Sequence, residues 1–140
     1  MNVAGILKNK GSDVLTVSAD TSVSDVARSL TDRKIGAVVV NGAGGSLGGI
    51  LSERDVVRGI AEHGAGVLTR PVSDLMTADV LTCSMEDTVD QIMDLMTGRR
   101  IRHLPVVENG ALRGIVSIGD VVKARIAETE AEANALKEYI

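Results

Sequence analysis

The sequence contains almost no aromatic residues, because Tyr139 is the only one among 140 residues. The core must therefore be built from Val, Ile, Leu, Ala and Met. Platforms for stacking the bases of single-stranded nucleic acid are absent. The formal net charge of −4 also argues against a surface that follows a phosphate backbone. Nucleic acid is therefore not expected as a main partner.

Cysteine and long apolar runs are equally scarce. Cys83 is the single cysteine, so no internal disulfide can form, and we expect a cytoplasmic protein. Its apolar surroundings in segment 80–83 predict a buried, unreactive thiol. No apolar run approaches the ~20 residues of a membrane span, and residues 1–10 lack the apolar centre of a signal peptide. We therefore expect no membrane partner.

The chain contains an internal repeat. Residues 13–40 and 79–106 share ten identities in 28 positions, beginning with the string Asp-Val-Leu-Thr in both copies. The loop of the second copy is one residue shorter, so the alignment offset changes from 66 to 65. Residues 47–58 and 112–123 then share seven identities in 12 positions. We therefore divide the chain into a first repeat at 1–65, a second repeat at 66–128 and a C-terminal extension at 129–140.

The hydrophobic pattern alternates in the same order within each copy. Segment 14–17 is a short apolar strand, and apolar residues at 23, 26, 27 and 30 have the spacing of one helix face. Two strands joined by a glycine-rich turn follow at 37–40 and 47–51, and a second helix begins near Ser52 and near Ser117. Each copy is predicted to be a β-α-β-β-α unit. Segments 3–7 and 72–76 are predicted as helical turns that precede the two copies.

The C-terminal segment from Ile118 to Ile140 has no proline and is rich in Ala, Glu and Lys, which predicts one long helix. Apolar or small residues follow one another at spacings of 4 and 3, as in a heptad seam, at Val122, Ile126, Thr129, Ala133, Leu136 and Ile140. A solvated helix is one interpretation. A helix that lies on a partner subunit is the interpretation we favour.

Each copy contains the string Gly-apolar-apolar-Ser-x-x-Asp, at 49–55 and at 114–120. Ser-x-x-Asp between a strand and a helix is typical of a helix cap. The same geometry suits a nucleotide, because a helix N-terminus attracts phosphate and a carboxylate accepts hydrogen bonds from ribose hydroxyls. Repetition of the whole string, including the strand before it, favours the nucleotide interpretation.

The second copy also contains a basic cluster where its second strand begins. Arg102 and His103 open an otherwise apolar strand, and a guanidinium there would form bidentate contacts with a phosphate. A structural role for His103 is equally compatible with the pattern. The first copy has Gly36 and Ala37 at these positions, so the two copies are not equivalent.

Ile-Arg-His-Leu-Pro-Val-Val at 101–107, followed by Gly114-Ile115-Val116-Ser117-x-x-Asp120, resembles the signature of the CBS domain, first named from cystathionine β-synthase. The first copy resembles its companion at 35–40 and 49–55, so the resemblance covers nearly all of residues 1–128. It implies a mixed α+β fold: two β-α-β-β-α CBS repeats packed as an intramolecular pseudo-twofold pair (a Bateman module), with an extended C-terminal helix. The family's ligands are AMP, ADP, ATP, NAD and S-adenosylmethionine.

The resemblance also implies roles for individual residues. Asp55 and Asp120 would hold ribose hydroxyls, and Arg102 with His103 would face phosphates. The copies depart from each other where Arg54 is replaced by Gly119 and where Pro105 replaces Val39. The complete predicted ligand-binding set is Thr16, Gly36, Ala37, Ser52, Arg54, Asp55, Thr82, Ile101, Arg102, His103, Pro105, Ser117, Gly119 and Asp120.

The leading functional hypothesis is a regulatory module that binds an adenosine nucleotide, forms a homodimer and signals to an unidentified regulated protein. The alternative is a ligand-free scaffold for dimerisation or protein interaction. We expect no enzyme, no catalytic cofactor and no metal site, since the histidines, His63 and His103, do not pair with a nucleophile and the lone cysteine lacks metal-ligand spacing.

Overall fold

The computed structural model describes residues 1–139, and these form two structural units. The unit that contains Asp55 (the Asp55 unit) comprises Val14–Val80. The unit that contains Asp120 (the Asp120 unit) comprises Met1–Asp13 together with the described residues from Leu81 onward. Within the described residues, no helix is long and apolar enough to cross a membrane.

The helices and strands follow the predicted order, except that the second copy lacks its first strand. They are α1 (Val3–Lys10), β1 (Thr16–Val17), α2 (Val23–Arg33), β2 (Ala37–Asn41), β3 (Leu47–Ser52), α3 (Glu53–His63), α4 (Val89–Arg99), β4 (His103–Glu108), β5 (Ala111–Ser117) and α5 (Ile118–Tyr139). Short 3-10 helices lie at Ala43–Gly45, Ala65–Thr69 and Val72–Asp74. The mixed α+β fold with two repeats and a long C-terminal helix is confirmed.

The Asp55 unit is built on a three-stranded sheet in the order β1-β2-β3. Strand β1 pairs parallel to β2, and β2 pairs antiparallel to β3, with Ala37 opposite Ser52. Helix α2 begins at the Ser22 cap and buries its apolar face against this sheet. The core is aliphatic throughout: Val23, Val26, Leu30, Val38, Val40, Leu51, Val56 and Val72.

The Asp120 unit has a two-stranded antiparallel sheet of β4 and β5, with His103 opposite Ser117. The hairpin turns at Asn109 and Gly110, which both have positive φ, as a tight primed turn requires. The first strand of the second repeat, expected at 80–83, does not form, so this prediction is wrong. Only Cys83 pairs with the sheet there, through a single parallel bridge to Val106.

The leading segment of each repeat packs on the other repeat. Helix α1 precedes the first copy in sequence but lies on β5 of the second, where Leu7 occupies the space beside Gly114. Segment 70–77 precedes the second copy but pairs with the first, through the backbone bonds of Val23 N–H to Arg70 O and of Ile50 N–H to Thr77 O. The linear division at residue 65 therefore describes the repeats in the sequence, whereas the structural units exchange their leading segments.

Helix α5 has 22 residues and is about 33 Å long. It buries Val121 and Ala124 within its own unit. Val122, Ile126 and Leu136, three residues of the predicted seam, are 43%, 54% and 64% exposed. Ile140, the last residue of that seam, lies outside the described residues.

Substitution of Gly49 tests the packing of the 70–77 segment on β3, and the same substitution at Gly98 is the control. A Cβ at Gly49 would lie 2.6 Å from Sδ of Met76 and 2.9 Å from the Thr77 carbonyl oxygen. We expect Gly49→Ala to lower the free energy of unfolding by about 1–3 kcal/mol. Gly98 lies in α4 with nothing within 4 Å of an added Cβ, so Gly98→Ala should raise it by about 0.5–1 kcal/mol. Urea denaturation measures both changes, and an unaltered Gly49→Ala would contradict the described packing.

Candidate functional site

Both Ser-x-x-Asp strings form reciprocal helix caps. At the start of α3, the Ser52 N–H donates to Asp55 Oδ2 (2.8 Å) and the Asp55 N–H donates to Ser52 Oγ (3.3 Å). At the start of α5, the Ser117 N–H donates to Asp120 Oδ2 (2.8 Å) and the Asp120 N–H donates to Ser117 Oγ (3.2 Å). The capping interpretation is therefore correct for both copies. The copies differ in the other hydrogen-bond partners of each aspartate side chain.

The Asp55 carboxylate has partners on both oxygens. Oδ2 also accepts the Ser52 hydroxyl at 3.0 Å, and Oδ1 accepts Arg58 Nη1 at 3.2 Å. The Asp55 side chain is 13% exposed, whereas the Arg58 side chain is 64% exposed. This carboxylate is largely committed to its own helix and to a neighbour one turn along it.

The Asp120 carboxylate is arranged differently, because a residue from α1 reaches it. Lys10 Nζ lies 2.6 Å from Asp120 Oδ2 and 2.9 Å from the carbonyl oxygen of Ile115. Asp120 Oδ2 also accepts the Ser117 N–H, so this oxygen is shared by the helix cap and by Lys10. Its side chain is 23% exposed. A carboxylate has about four acceptor positions, so Asp120 keeps capacity to accept hydrogen bonds from a ligand.

The environment keeps Asp120 ionised. Burial opposes ionisation, but hydrogen bonds from Lys10 and from the backbone and side chain of Ser117, together with the charge of Lys10, outweigh it and lower the pKa of Asp120. Near neutral pH the group is a carboxylate, which only accepts hydrogen bonds. A pair of adjacent hydroxyls is a suitable donor for such a group.

An open cavity of about 500 Å³ lies beside this junction in the Asp120 unit. Two of its lining residues are cations, Arg102 and Lys123, and the other four are Ile118, Gly119, Val122 and Ile126. A Cβ at Gly119 would have no neighbour nearer than Ser117 Oγ at 3.6 Å. The first copy has Arg54 at this position, so the glycine leaves open a space that a side chain could fill. The volume falls in the range of small-molecule sites.

The start of the middle strand is tied to the helix start in the same way in both units. Glu53 N–H donates to the Gly36 carbonyl at 2.9 Å, and Ile118 N–H donates to the Arg102 carbonyl at 2.8 Å. These bonds bring the predicted residues 36–37 next to 52–55, and 101–103 next to 117–120. The equivalent positions thus carry glycine in one unit and arginine in the other.

The remaining predicted site residues occupy varied positions. Thr16 and Thr82 are exposed, and Ile101 is partly buried before β4. Ala37 and Pro105 are buried in their strands. Pro105 accepts the Cys83 N–H through its carbonyl, at 3.0 Å. The structure places six predicted residues in the Asp55 unit and eight in the Asp120 unit.

The sequence analysis did not predict Lys10 at the carboxylate, nor Ile118, Val122, Lys123 and Ile126 in the cavity lining. Segment 3–7 was predicted to precede the first copy, and nothing in the local pattern shows that it packs on the second. The offset of 66 between the copies aligns Lys10 with Met76, which packs on Gly49 instead of approaching Asp55. The sequence signal that distinguishes the copies is therefore a lysine in one leading segment where the other has a methionine.

Neither Cys83 nor a cluster of metal-binding side chains provides a reactive group in the described part of the chain. Cys83 is buried, and burial followed by the charge of Asp87 raises the pKa of its thiol to about 12. The thiol is therefore protonated at neutral pH and unsuited to nucleophilic attack. Among residues 1–139, no group of three His, Cys, Asp or Glu side chains could hold a metal ion.

The fold and the paired strand–helix junctions define a tandem module of two related repeats, in which the first strand of the second repeat is reduced to one bridge at Cys83. The sequence model of the CBS domain matches residues 9–62 and 72–127. The chain therefore belongs to the CBS-domain family and contains two CBS domains, which confirms the resemblance drawn from its motifs.

Known proteins of the same kind resemble the chain over most of its length. It is 37% identical to the "CBS domain-containing protein CBSX3, mitochondrial" of Arabidopsis thaliana, over 99% of this chain and 71% of that protein. The crystal structure of the CBS-domain containing protein ATU1752 from Agrobacterium tumefaciens has a TM-score of 0.86 and 52% identity, over 89% of this chain and 92% of that one. The CBS domain pair of protein MJ0100, solved with 5′-methylthioadenosine and S-adenosyl-L-methionine, has a TM-score of 0.80, over 91% of this chain and 98% of that one. Its identity is 22%, so it shows a shared fold.

The Lys10–Asp120 contact predicts how acid affects the protein. Because the pKa of Asp120 is lower in the folded chain than in the unfolded chain, ionised Asp120 stabilises the fold above its unfolded pKa, and this stability is lost as the pH falls through the folded pKa. Lys10→Met should raise the pKa of Asp120 and shift that loss to higher pH. Carboxyl-carbon NMR titration reports the first change and acid denaturation the second. Lys8→Met, on the same helix, is the control, and identical Asp120 titrations in both variants would contradict the contact.

Proposed function

We propose that the chain is a regulatory module that binds an adenosine nucleotide at Asp120 and reports its presence to a partner protein. The observation that carries this proposal is the Asp120 carboxylate, which is ionised, partly exposed and bonded within its unit through Oδ2, beside a cavity lined by Arg102. Adjacent ribose hydroxyls would donate to Oδ1. A phosphate would pair with the Arg102 guanidinium.

The Asp55 unit is the weaker candidate for a second site. Both oxygens of Asp55 already accept hydrogen bonds, and Gly36 stands where the other unit has Arg102. A ligand there would have to displace Arg58 and would find no cation at the start of the middle strand. We therefore assign one adenosine nucleotide to each chain and a capping role to Asp55.

A regulatory role agrees with the character of this site. The groups near Asp120 bind and orient a ligand, and the binding carboxylate lies in the first turn of α5, which extends for 22 residues. The MJ0100 domain pair was solved with two adenosine compounds, which supports an adenosine ligand for this fold. AMP, ADP and ATP are the ligands we favour, with NAD and S-adenosylmethionine as further candidates.

The alternative function is a ligand-free scaffold. It is favoured by the complete reciprocal caps at both junctions, since these alone explain why Ser and Asp occur at these positions. Under this alternative, calorimetry would detect no heat with AMP, ADP, ATP, NAD or S-adenosylmethionine. A regulatory module would bind at least one of them.

Alanine substitution of the two aspartates separates binding from capping. Each variant loses a cap, so both should be destabilised by about 0.5–2 kcal/mol. Asp120→Ala should in addition weaken AMP binding by about 1.5–3 kcal/mol, or roughly ten- to hundredfold, because a charged acceptor is lost. Asp55→Ala should keep the affinity within about twofold. Isothermal calorimetry measures affinity and stoichiometry. Equal binding by both variants, or two ligands per chain, would contradict the assignment.

We also propose that a second copy of the chain covers the apolar face of α5. Both units leave the same repeat position exposed: Val57 in α3 is 67% exposed and its counterpart Val122 in α5 is 43% exposed. Ile126 and Leu136 extend this apolar face along α5. A twofold dimer covers the same patch on both chains with one kind of contact.

Light scattering tests the dimer and the role of the helix extension separately. The full chain should have the mass of a dimer, and Ile126→Asp should shift it towards monomer because a carboxylate would be buried at the contact. A version ending at Ala127 should dissociate at higher concentration than the full chain, since it lacks Leu136. A monomeric full chain would exclude the dimer, and a truncated dimer of unchanged stability would exclude a role for the extension.

A further inference from the structure

Lys10 lies close enough to Asp120 to act on whatever that carboxylate binds. Its ammonium has three donors, and the two acceptors it contacts are Asp120 Oδ2 and the Ile115 carbonyl. A hydroxyl bound to the other oxygen of the carboxylate would lie within about 8 Å of Lys10 Nζ, given ordinary hydrogen-bond lengths. That distance is about one Debye length at physiological salt, and the site is partly shielded from solvent, so the lysine charge would act on a bound ligand.

The charges around this site are mostly positive. Lys10 pairs with Asp120, and the pair has no net charge. The adjoining cavity is lined by two more cations, Arg102 and Lys123, and its other lining residues are uncharged. The local field therefore favours an anionic group on the ligand and disfavours a cationic one.

This arrangement occurs in only one of the two units. The residue aligned with Lys10 in the other leading segment is Met76, whose sulfur packs at Gly49. Asp55 is neutralised from its own helix by the exposed Arg58. The lysine thus reaches its carboxylate only because α1 packs on the second copy.

We propose that Lys10 sets the charge preference of the Asp120 site, so that the site selects adenosine ligands with an anionic 5′ group over those with a neutral or cationic 5′ group. The inference rests on the proposed function, since it specifies which class of adenosine ligand the same site takes. AMP represents the favoured class. 5′-Methylthioadenosine represents the neutral class, and S-adenosylmethionine, with its sulfonium, represents the cationic class.

Calorimetry with these three ligands tests the preference on the full chain. The wild-type protein should bind AMP more tightly than 5′-methylthioadenosine, and S-adenosylmethionine most weakly. Lys10→Met should reduce the ratio of AMP affinity to 5′-methylthioadenosine affinity by about tenfold, the effect expected from one partly screened charge. Lys10→Arg should retain most of the ratio because it keeps the charge. Lys8→Met should leave the ratio unchanged.

The ratio separates charge selection from a merely structural role. If Lys10 only positions Asp120, Lys10→Met should weaken all three ligands by the same factor, and the inference is overturned while the proposed function stands. The same holds if the wild-type protein prefers S-adenosylmethionine. If the wild-type protein binds none of the three ligands and no other adenosine nucleotide, the proposed function itself fails. Raising the salt concentration should lower the AMP preference of the wild-type protein more than that of Lys10→Met.

Discussion

The Asp120 unit depends on a single carboxylate oxygen at which three elements meet. Asp120 Oδ2 accepts the Ser117 N–H at the end of β5 and the Lys10 ammonium at the end of α1, and Asp120 itself lies in the first turn of α5. Lys10 in turn donates to the Ile115 carbonyl on β5. One acceptor therefore caps the long helix and anchors the N-terminal helix to the strand. These bonds to Oδ2 orient the carboxylate, which under the proposed function would accept hydrogen bonds from a ligand.

The two copies share their capped strand–helix junctions and differ in the side chains around them. Both copies retain the Ser-x-x-Asp cap, the backbone bond from the helix start to the middle strand, and an aliphatic core. The differences that bear on ligand binding are in the side chains: glycine against Arg102, Arg54 against Gly119, and methionine against Lys10. A cap needs only a serine and an aspartate. The remaining positions are therefore the ones that can make one junction a binding site and leave the other a helix start.

Much of this fold could be predicted from the sequence because its signals are local. The helix stripe at 23–30, the β-branched run at 37–40 and the Asn109-Gly110 turn each specify their own backbone, and the repeat supports each assignment twice. The segment at 80–83 has a strand-like composition but forms one bridge, because only Cys83 both donates to the Pro105 carbonyl and accepts from the Val107 N–H. The partner of α1 depends on long-range packing of small aliphatic side chains, such as Leu7 beside Gly114. Such contacts have no sequence period, so Lys10 could not be placed at the site beforehand.

Under the proposed function, the position of Asp120 suggests a route by which ligand binding would be reported to a partner. Its residue is in the first turn of α5, whose buried residues Val121 and Ala124 fix the helix to its unit and whose Leu136 is exposed about four turns further on. A ligand that hydrogen-bonds to Oδ1 would leave the backbone bonds of the cap intact, so α5 need not unfold for it to bind. It does change the charge beside Lys10, which ties α1 to the same carboxylate. The elements able to respond are therefore α1 and α5. A ligand can shift the equilibrium between two arrangements of α1 and α5 only by the difference between its affinities for them. A nucleotide that interacts with Lys10 as well as Asp120 would therefore shift that equilibrium further than adenosine alone.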